Sequence, residues 1–324
     1  MQVRLFSASP LVYLIVCRMY FGSFTQWMTD NRIFNGVAVG INPFSDEWGR
    51  GVKHMRSVGD KNIFGDYATY DGCESPQMLY TSGDNVEDYY YNADEEDRQI
   101  RAGLFEDLVN SKHIRNLTPE QIQVIRKKYD VMCEKYLESN PDLTSKEIDA
   151  IRAKFRRRFS FVYEWMGSVP SGHPLTTIIN SIVNNLILRY CMLKILKRLK
   201  PDRFSTNPPD MEYFESQIRI LVYGDDNGVS VSDEFSCITQ ELMTFEMSLI
   251  GMKYTSEDKT SIHLTHRPLT ECSFLKCTFR FDAEIGKWVA AQSLESILDM
   301  PYWTKSNGKD PESVKKTVDI LLHK

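Results

Sequence analysis

The sequence lacks a CxxC pair, a low-complexity tract, an internal repeat and any excess of positive charge. Its seven cysteines are odd in number and scattered. That argues for free thiols in a reducing compartment, and against a disulfide framework or a zinc site. With 39 Lys and Arg against 44 Asp and Glu, the net charge is −5. A polyanionic partner would therefore have to be met by local patches. Long hydrophobic runs are missing too. The N-terminal run Leu11 to Cys17 is seven residues long and stops at Arg18, far short of the ~20 needed to cross a bilayer. No transmembrane segment is expected. Because the apolar pattern continues as "MYFGSFTQWM", the stretch reads as one face of a longer helix rather than a signal peptide.

What is present is the composition of a large globular core. At 324 residues, 42% hydrophobic and 12% aromatic, the chain can form one large domain or two to three subdomains. A helix is expected from Pro10 to about Met28, then a Gly/Asn/Pro-rich loop, then a short strand, Asn62 to Gly65, running into Asp66. The segment from about Glu87 to Arg158 is heavily charged. In it, Thr118 with Gln121 and Thr144 with Glu147 have the spacing of capping boxes, which predicts a helical hairpin. Ile122, Ile125, Tyr129, Met132 and Tyr136 fall on one face of its first helix. Its charges read as a solvated face, or, for the Arg run 156–158, as a contact for RNA phosphates. A long apolar helix follows "PSGHPLTT", from Thr176 to Leu199. A hairpin around "YGDDN" comes next, then a helix with Phe235, Ile238, Leu242, Phe245 and Leu249 on one side and Gly251 closing it. The extended pair "CSFLKCTFRFD" and "KWVAAQ" precedes a last helical segment. The order points to an α+β domain with an antiparallel sheet.

"ILVYGDDNGVSV" interrupts an apolar hairpin with two adjacent aspartates. Gly, Asp and Asn suit a tight turn, so turn chemistry alone can account for them. A chemical reading is also open. Chemistry on phosphates calls for divalent metal with hard oxygen ligands, and neighbouring strands about 4.8 Å apart can bring Asp66, Asp225 and Asp226 to one point. Thr176 and Asn180 are i and i+4 on a helix and share a face. They can read a sugar hydroxyl or be the polar side of a capped helix.

In order, "VRLFSASP", "FGDYATYDG", "PSGHPLTTIIN", "VYGDDN", "GMKYTSEDKT" and "CSFLKCTF" resemble the successive motifs of RNA-dependent RNA polymerases of picornavirus-like positive-strand RNA viruses. The resemblance runs from about residue 3 to residue 304. It implies Asp66, Asp225 and Asp226 as ligands of two Mg²⁺ ions, with Mn²⁺ able to substitute. Asp71, Asn180, Ser171 and Thr176 would sense the ribose of the incoming NTP, and the Gly172 loop would flex during translocation. Arg4 would lie over the triphosphate. Lys259 would protonate the leaving pyrophosphate, and the strand Phe274, Leu275 and Lys276 would grip the primer backbone.

The fold implied is a right-hand polymerase palm, an antiparallel sheet packed on helices, with partial fingers and the start of a thumb. In these terms 1–10 is a remnant of fingers and 11–110 the first part of the palm. Residues 111–165 form a fingers-like helical insertion, 166–292 the second part of the palm, and 293–324 the start of the thumb. The partners implied are an RNA template, a primer or product strand, NTPs and other viral replicase proteins, with no DNA. The place implied is a membrane-associated replication complex in the host cytoplasm. A reverse transcriptase shares the palm and the paired aspartates, and an inactive, truncated or endogenised polymerase fragment is a further alternative. The motif carrying Arg4 stands at the N-terminus and "MPYW" near the C-terminus, so fingers and thumb are expected to be incomplete.

Overall fold

The computed structural model describes residues 7, 9–114, 118–158, 162–206, 208–259, 266–299, 312 and 315. Arg4 and "MPYW" (300–303) lie outside them, as do the side chains of the Arg run 156–158. The frame is a four-stranded antiparallel sheet. Its strands are β1 (Lys61–Ala68), β4 (Ile218–Tyr223), β5 (Asp226–Val231) and β6 (Lys253–Ser256), in the order β4-β5-β1-β6. Two small sheets accompany it. One pairs β2 (Asn110–Ile114) with β3 (Val162–Met166), and the other joins β7 (Ser273–Phe274), β8 (Cys277–Asp282) and β9 (Lys287–Gln292). The helices are α1 (Leu11–Asp30), α2 (Asp46–Met55), α3 (Pro76–Tyr89), α4 (Glu95–Val109), α5 (Pro119–Glu138), α6 (Ser145–Arg158) and α7 (Thr176–Leu199). After them come α8 (Pro201–Phe204), α9 (Met211–Ser216), α10 (Gln240–Leu249) and α11 (Leu294–Asp299).

The main sheet is covered on both faces, and the period of two along its strands decides which side chain goes where. Ile63, Tyr67, Ile220, Val222, Val229 and Val231 point into a core shared with α1, α3, α7 and α10. Their neighbours Phe64 and Leu221 point the other way, into a second core with Trp48 and Val52 of α2 and Phe274 and Phe279 of the β7–β9 sheet. The β4 edge is blunted: Ala38 N donates to Val222 O at 2.7 Å and Val222 N to Gly36 O at 2.9 Å. Helix α7 carries thirteen buried residues along its length and is the central spar of the larger core.

Several elements depart from expectation. Strand β1 does not stop at Gly65 but continues through Asp66 to Ala68, because β6 pairs with its second half, Asp66 opposite Thr255. Helix α10 starts only at Gln240, after a separate 3-10 turn at Asp233–Phe235. Ser232 and Thr239 cap the two pieces independently. This break resets the helical phase: Phe235 and Ile238 are buried off the helix, Met243 and Met247 form its inner stripe, and Phe245 and Leu249 face solvent. The α5–α6 hairpin forms with both capping contacts present, Thr118 with Gln121 and Thr144 with Glu147. Of the expected inner face of α5, Met132 and Tyr136 are exposed, and Cys133 is the helix's buried residue.

Candidate active site

The "GDD" turn joins β4 to β5 with Gly224 and Asp225 as its two loop residues. Gly224 takes φ +60° at the first loop position, the place where a type II′ turn needs glycine. Three asparagine and serine side chains hold this turn. Gly224 N donates to Ser181 Oγ at 2.8 Å, and Asn184 Nδ2 donates to the carbonyls of Gly224 at 2.8 Å and Asp225 at 3.2 Å. Asn227 Nδ2 donates to Asp225 O and, across the sheet, to Gly65 O, both at 3.0 Å. The acceptor oxygens of the asparagines are used as well. Tyr67 donates to Asn184 Oδ1 at 3.0 Å and Tyr254 to Asn227 Oδ1 at 2.7 Å. The Tyr254 ring lies where a Cβ on Gly65 would be, so glycine at that position is a packing requirement.

This scaffold brings the charged residues together. Gly65 pairs with Asn227, and one further step along that antiparallel register sets Asp66 beside Asp226. Lys259 Nζ lies 3.0 Å from Asp66 Oδ2. Burial pushes the Asp226 carboxyl up to about 6, aided by the charges of Asp225 and Asp66 and opposed by Lys276 and Lys259. Two carboxylates and two ammonium groups thus bear on Asp226 at one end of the sheet. Lys276 arrives there by an unexpected route. Leu275 and Lys276 are the two-residue turn between β7 and β8, with φ of +52° and +59°. They are therefore not part of a strand; two positive φ values are the pattern of a type I′ turn.

A second cluster lies beside the first. Asp71, on the 3-10 turn after β1, accepts from Asn180 Nδ2 at 3.1 Å and from Ser171 Oγ at 3.4 Å. Tyr70 OH donates to Asn180 O at 2.9 Å. The acceptor Asn180 Oδ1 is buried with no hydrogen-bond partner among the described residues. Thr176 shares the helix face but turns its hydroxyl back to the carbonyls of Pro170 and His173, both at 2.8 Å. It closes the loop around Gly172, which takes φ +108°.

A viral RNA-dependent RNA polymerase family model matches residues 2–118 and 158–321. The chain belongs to that family. The gap in the match is the span of the α5–α6 hairpin. Among curated proteins, the polymerase chain is 28% identical over 322 residues to the replicase polyprotein of Drosophila C virus, covering 97% of this chain and 16% of that polyprotein. It is 27% identical over 318 residues to the replicase polyprotein of acute bee paralysis virus, covering 97% of this chain and 14% of the other. To the RNA1 polyprotein of Andean potato mottle virus it is 29% identical over 310 residues, covering 94% and 35%. The chain thus spans a minor part of the length of the polyproteins it matches.

Residues that sequence reasoning passed over support the two clusters. Ser181 and Asn184 were legible as polar interruptions of an apolar helix, one of them four residues after Asn180. His173 is buried, and burial pulls its imidazole down to about 4. Its Nδ1 accepts from Leu175 N at 3.1 Å, which leaves the Nε2 proton for Tyr13 OH at 3.1 Å. The Gly172 loop is thereby tied to α1. Glu74 is 2% exposed and three residues beyond Asp71. No helix is long and apolar enough to cross a membrane among the described residues, and enzymes of this family are generally metal-dependent.

Proposed function

We propose that the chain is the catalytic palm of an RNA-directed RNA polymerase that joins NTPs to the 3′ end of a growing RNA on an RNA template, releasing pyrophosphate. The observation that carries this reading is the convergence on Asp226, at one end of the sheet, of the charges of Asp66, Asp225, Lys259 and Lys276, with Lys259 3.0 Å from Asp66. Among the described residues no three His, Cys, Asp or Glu side chains stand together as a formed metal-holding group. The donor set nevertheless fits: hard carboxylate oxygens suit Mg²⁺, and the burial and like-charge repulsion that raise Asp226 are the cost a cation would relieve. Asp66 and Asp225 would be the principal ligands and Asp226 the assistant. Two Mg²⁺ ions, or Mn²⁺ in their place, would stabilise charge on the attacking 3′ oxygen and on the leaving oxygen.

The chain's own groups do the rest. Lys259, already within 3.0 Å of Asp66, donates a proton to the departing pyrophosphate. Asp71 and Asn180 receive the ribose hydroxyls of the NTP. Ser171 and Thr176 fix the loop around them, and Gly172 gives it the freedom to move between additions. Lys276, on its turn, bonds a primer phosphate as a point charge. Arg4 is assigned to the triphosphate by resemblance.

In the same reading, residues 1–10 belong to the fingers and 11–110 and 166–292 to the palm. Residues 111–165 are a helical insertion of the fingers, supported by the break in the family match, and 293–324 open the thumb. Partners are template, primer or product RNA and the other replicase proteins, with no DNA. The setting is a membrane-associated replication complex in the host cytoplasm, in keeping with seven free cysteines.

The test is primer extension by the full-length polymerase containing this chain. Extension is expected to need Mg²⁺ or Mn²⁺ and to be lost in Asp225→Ala and Asp66→Ala. Unimpaired extension by either variant would refute the ligand assignment, and a preference for dNTPs would refute RNA synthesis in favour of reverse transcription.

A further inference from the structure

Beneath Asp71 lies a carboxyl group that the reaction does not use. Glu74 is buried to 2% exposure, yet no cation pairs with it in the structure's ion pairs among the described residues. Its Oε2 accepts from Val169 N at 3.3 Å, and its Oε1 has no hydrogen-bond partner among the described residues. Its backbone carbonyl abuts Gly167, where a Cβ would come within 2.6 Å and where φ is +73°. The contacts repeat along the chain: Gly167 and Val169 meet Glu74, and Ser171 meets Asp71. The loop bearing Ser171 and Gly172 is thus zipped to the 3-10 turn bearing Asp71, with Glu74 as the inner tooth.

We propose that Glu74, in its neutral carboxylic acid form, is a positioning residue for ribose selection, setting Ser171 and Asn180 against Asp71. The chemistry follows from donor counts. An ionised carboxylate is acceptor-only, whereas the acid form has one O–H to give. Tyr70, whose hydroxyl influences Glu74, spends its own proton on Asn180 O. Glu74 Oε1 has no hydrogen bond to Tyr70 in this structure; in the acid form its proton would be offered to the Tyr70 oxygen, giving the chain Glu74 to Tyr70 to Asn180, while Asn180 Nδ2 reaches Asp71. Ionisation would remove that donor and leave an unpaired charge on the buried Glu74, close enough to be opposed by the exposed Asp71 carboxylate.

The environment favours the acid. Burial, then the Asp71 charge, push Glu74 up to about 8, with the Val169 amide and Tyr70 pulling the other way. Asp225 bears on Tyr70 but is not among the groups acting on Glu74, and His173 of the same loop is turned to Tyr13.

The inference rests on the reading of Asp71 and Asn180 as the ribose sensors, and its test separates the two. The quantity is the ratio of kcat/KM for ATP over dATP in primer extension by the full-length polymerase, from pH 6.5 to 9. Both substrates share the chemical step, so the ratio cancels the ionisations that serve catalysis. The wild-type ratio is expected to fall about tenfold as Glu74 ionises, the worth of about one hydrogen bond. Glu74→Gln, which keeps a donor and an acceptor, should match the wild type at pH 7 and stay flat to pH 9. Glu74→Leu should be about tenfold poorer at every pH. If Glu74→Gln follows the wild-type curve, or Glu74→Leu discriminates normally at pH 7, the role of Glu74 is overturned. If Asp71→Asn leaves the ratio unchanged, the ribose-sensing reading itself fails. Should Glu74→Leu not fold, the flatness of Glu74→Gln decides the matter.

Discussion

Asn184 is the residue whose loss should separate the geometry of the turn from the stability of the fold. It is fully buried on α7 and makes three bonds: it accepts from Tyr67 OH at 3.0 Å and donates to the carbonyls of Gly224 and Asp225 at 2.8 and 3.2 Å. In Asn184→Ala the consequences differ by bond. The turn is partly exposed, so water can reach its carbonyls, and Asp225 O keeps its bond from Asn227. Tyr67 is 4% exposed, and the other contact of its hydroxyl among the described residues is Met247 Sδ at 4.0 Å. Leaving that hydroxyl unpaired costs about 1–3 kcal/mol, and the lost Gly224 bond adds about 1 kcal/mol. The sum, about 2–4 kcal/mol, is smaller than the roughly 5–15 kcal/mol of a typical domain. The variant should therefore remain mostly folded.

Activity should suffer more than stability. A displacement of a catalytic group by about 1 Å can cost on the order of a hundredfold in rate, and Asn184 is one of the three side chains that fix the turn. Urea denaturation at pH 7 measures the first effect, and primer extension per folded molecule the second. Asn184→Asp sharpens the comparison. It keeps an acceptor for Tyr67 but sets a carboxylate against two carbonyls, so it should also lose extension. An Asn184→Ala protein with unchanged urea midpoint and extension within twofold of wild type would refute the argument.

Three further outcomes follow from the same packing. Gly65→Ala would put a Cβ 2.1–2.4 Å from the Tyr254 ring; overpacking of this kind costs about 1–3 kcal/mol, so a thermal melt unchanged from wild type would contradict it. His173 is pulled down to about 4 by burial, so the unfolded chain binds the extra proton first: its stabilisation is complete above about pH 6.5 and is lost as pH falls toward 4, by about 2 kcal/mol at pH 5. The gap in urea stability between wild type and His173→Gln should shrink by that amount from pH 7 to 5, and a constant gap would count against a neutral buried imidazole. Glu74 has the opposite sign, because its folded-state value of about 8 lies above the ordinary carboxylate value: its stabilisation is full below about pH 4.5 and is lost progressively up to pH 8, about 5 kcal/mol in all as an order of magnitude. Glu74→Gln should therefore gain on wild type in urea stability between pH 5 and 8, and parallel pH curves would refute the raised carboxyl.

How much of this was readable beforehand depends on where each residue finds its partner. Asp66 and Asp225 were legible because each interrupts an apolar strand, and Asn180 because its helix follows a Pro- and Gly-rich loop. The Thr118 and Thr144 caps were legible because their partners are three residues away. Asn227 was not, since Gly65 O lies 162 residues back. Glu74 reads as one more acid in an acidic chain until Val169, 95 residues on, is seen against it. The β7–β8 turn escaped notice for a different reason. Positive φ is ordinarily announced by Asn-Gly or Asp-Gly, and here Leu275 and Lys276 adopt it with no such signal. Helix α10 was misphased because a continuous 3.6 period was read across two separate caps.

Helix α7 explains why the proposed nucleotide-sensing set and the proposed metal ligands keep a fixed separation. Asn180 faces Asp71, and Asn184, one turn later, faces the Gly224–Asp225 turn. Four residues of α-helix advance about 6 Å, of the same order as the distance from a nucleotide's ribose hydroxyls to its α-phosphate. The two tyrosines that follow Asp66 lock this spacing from the other side: Tyr67 pairs with Asn184, and Tyr70 with the Asn180 carbonyl. A ladder of two tyrosines against one helical turn thus connects the end of β1 to both clusters. Each rung is a buried hydrogen bond, and a slip of the helix would break both rungs together. A change on α7 that alters sugar choice should on this geometry also alter the placement of the two aspartates, whereas a change confined to the Gly172 loop should act on sugar choice alone.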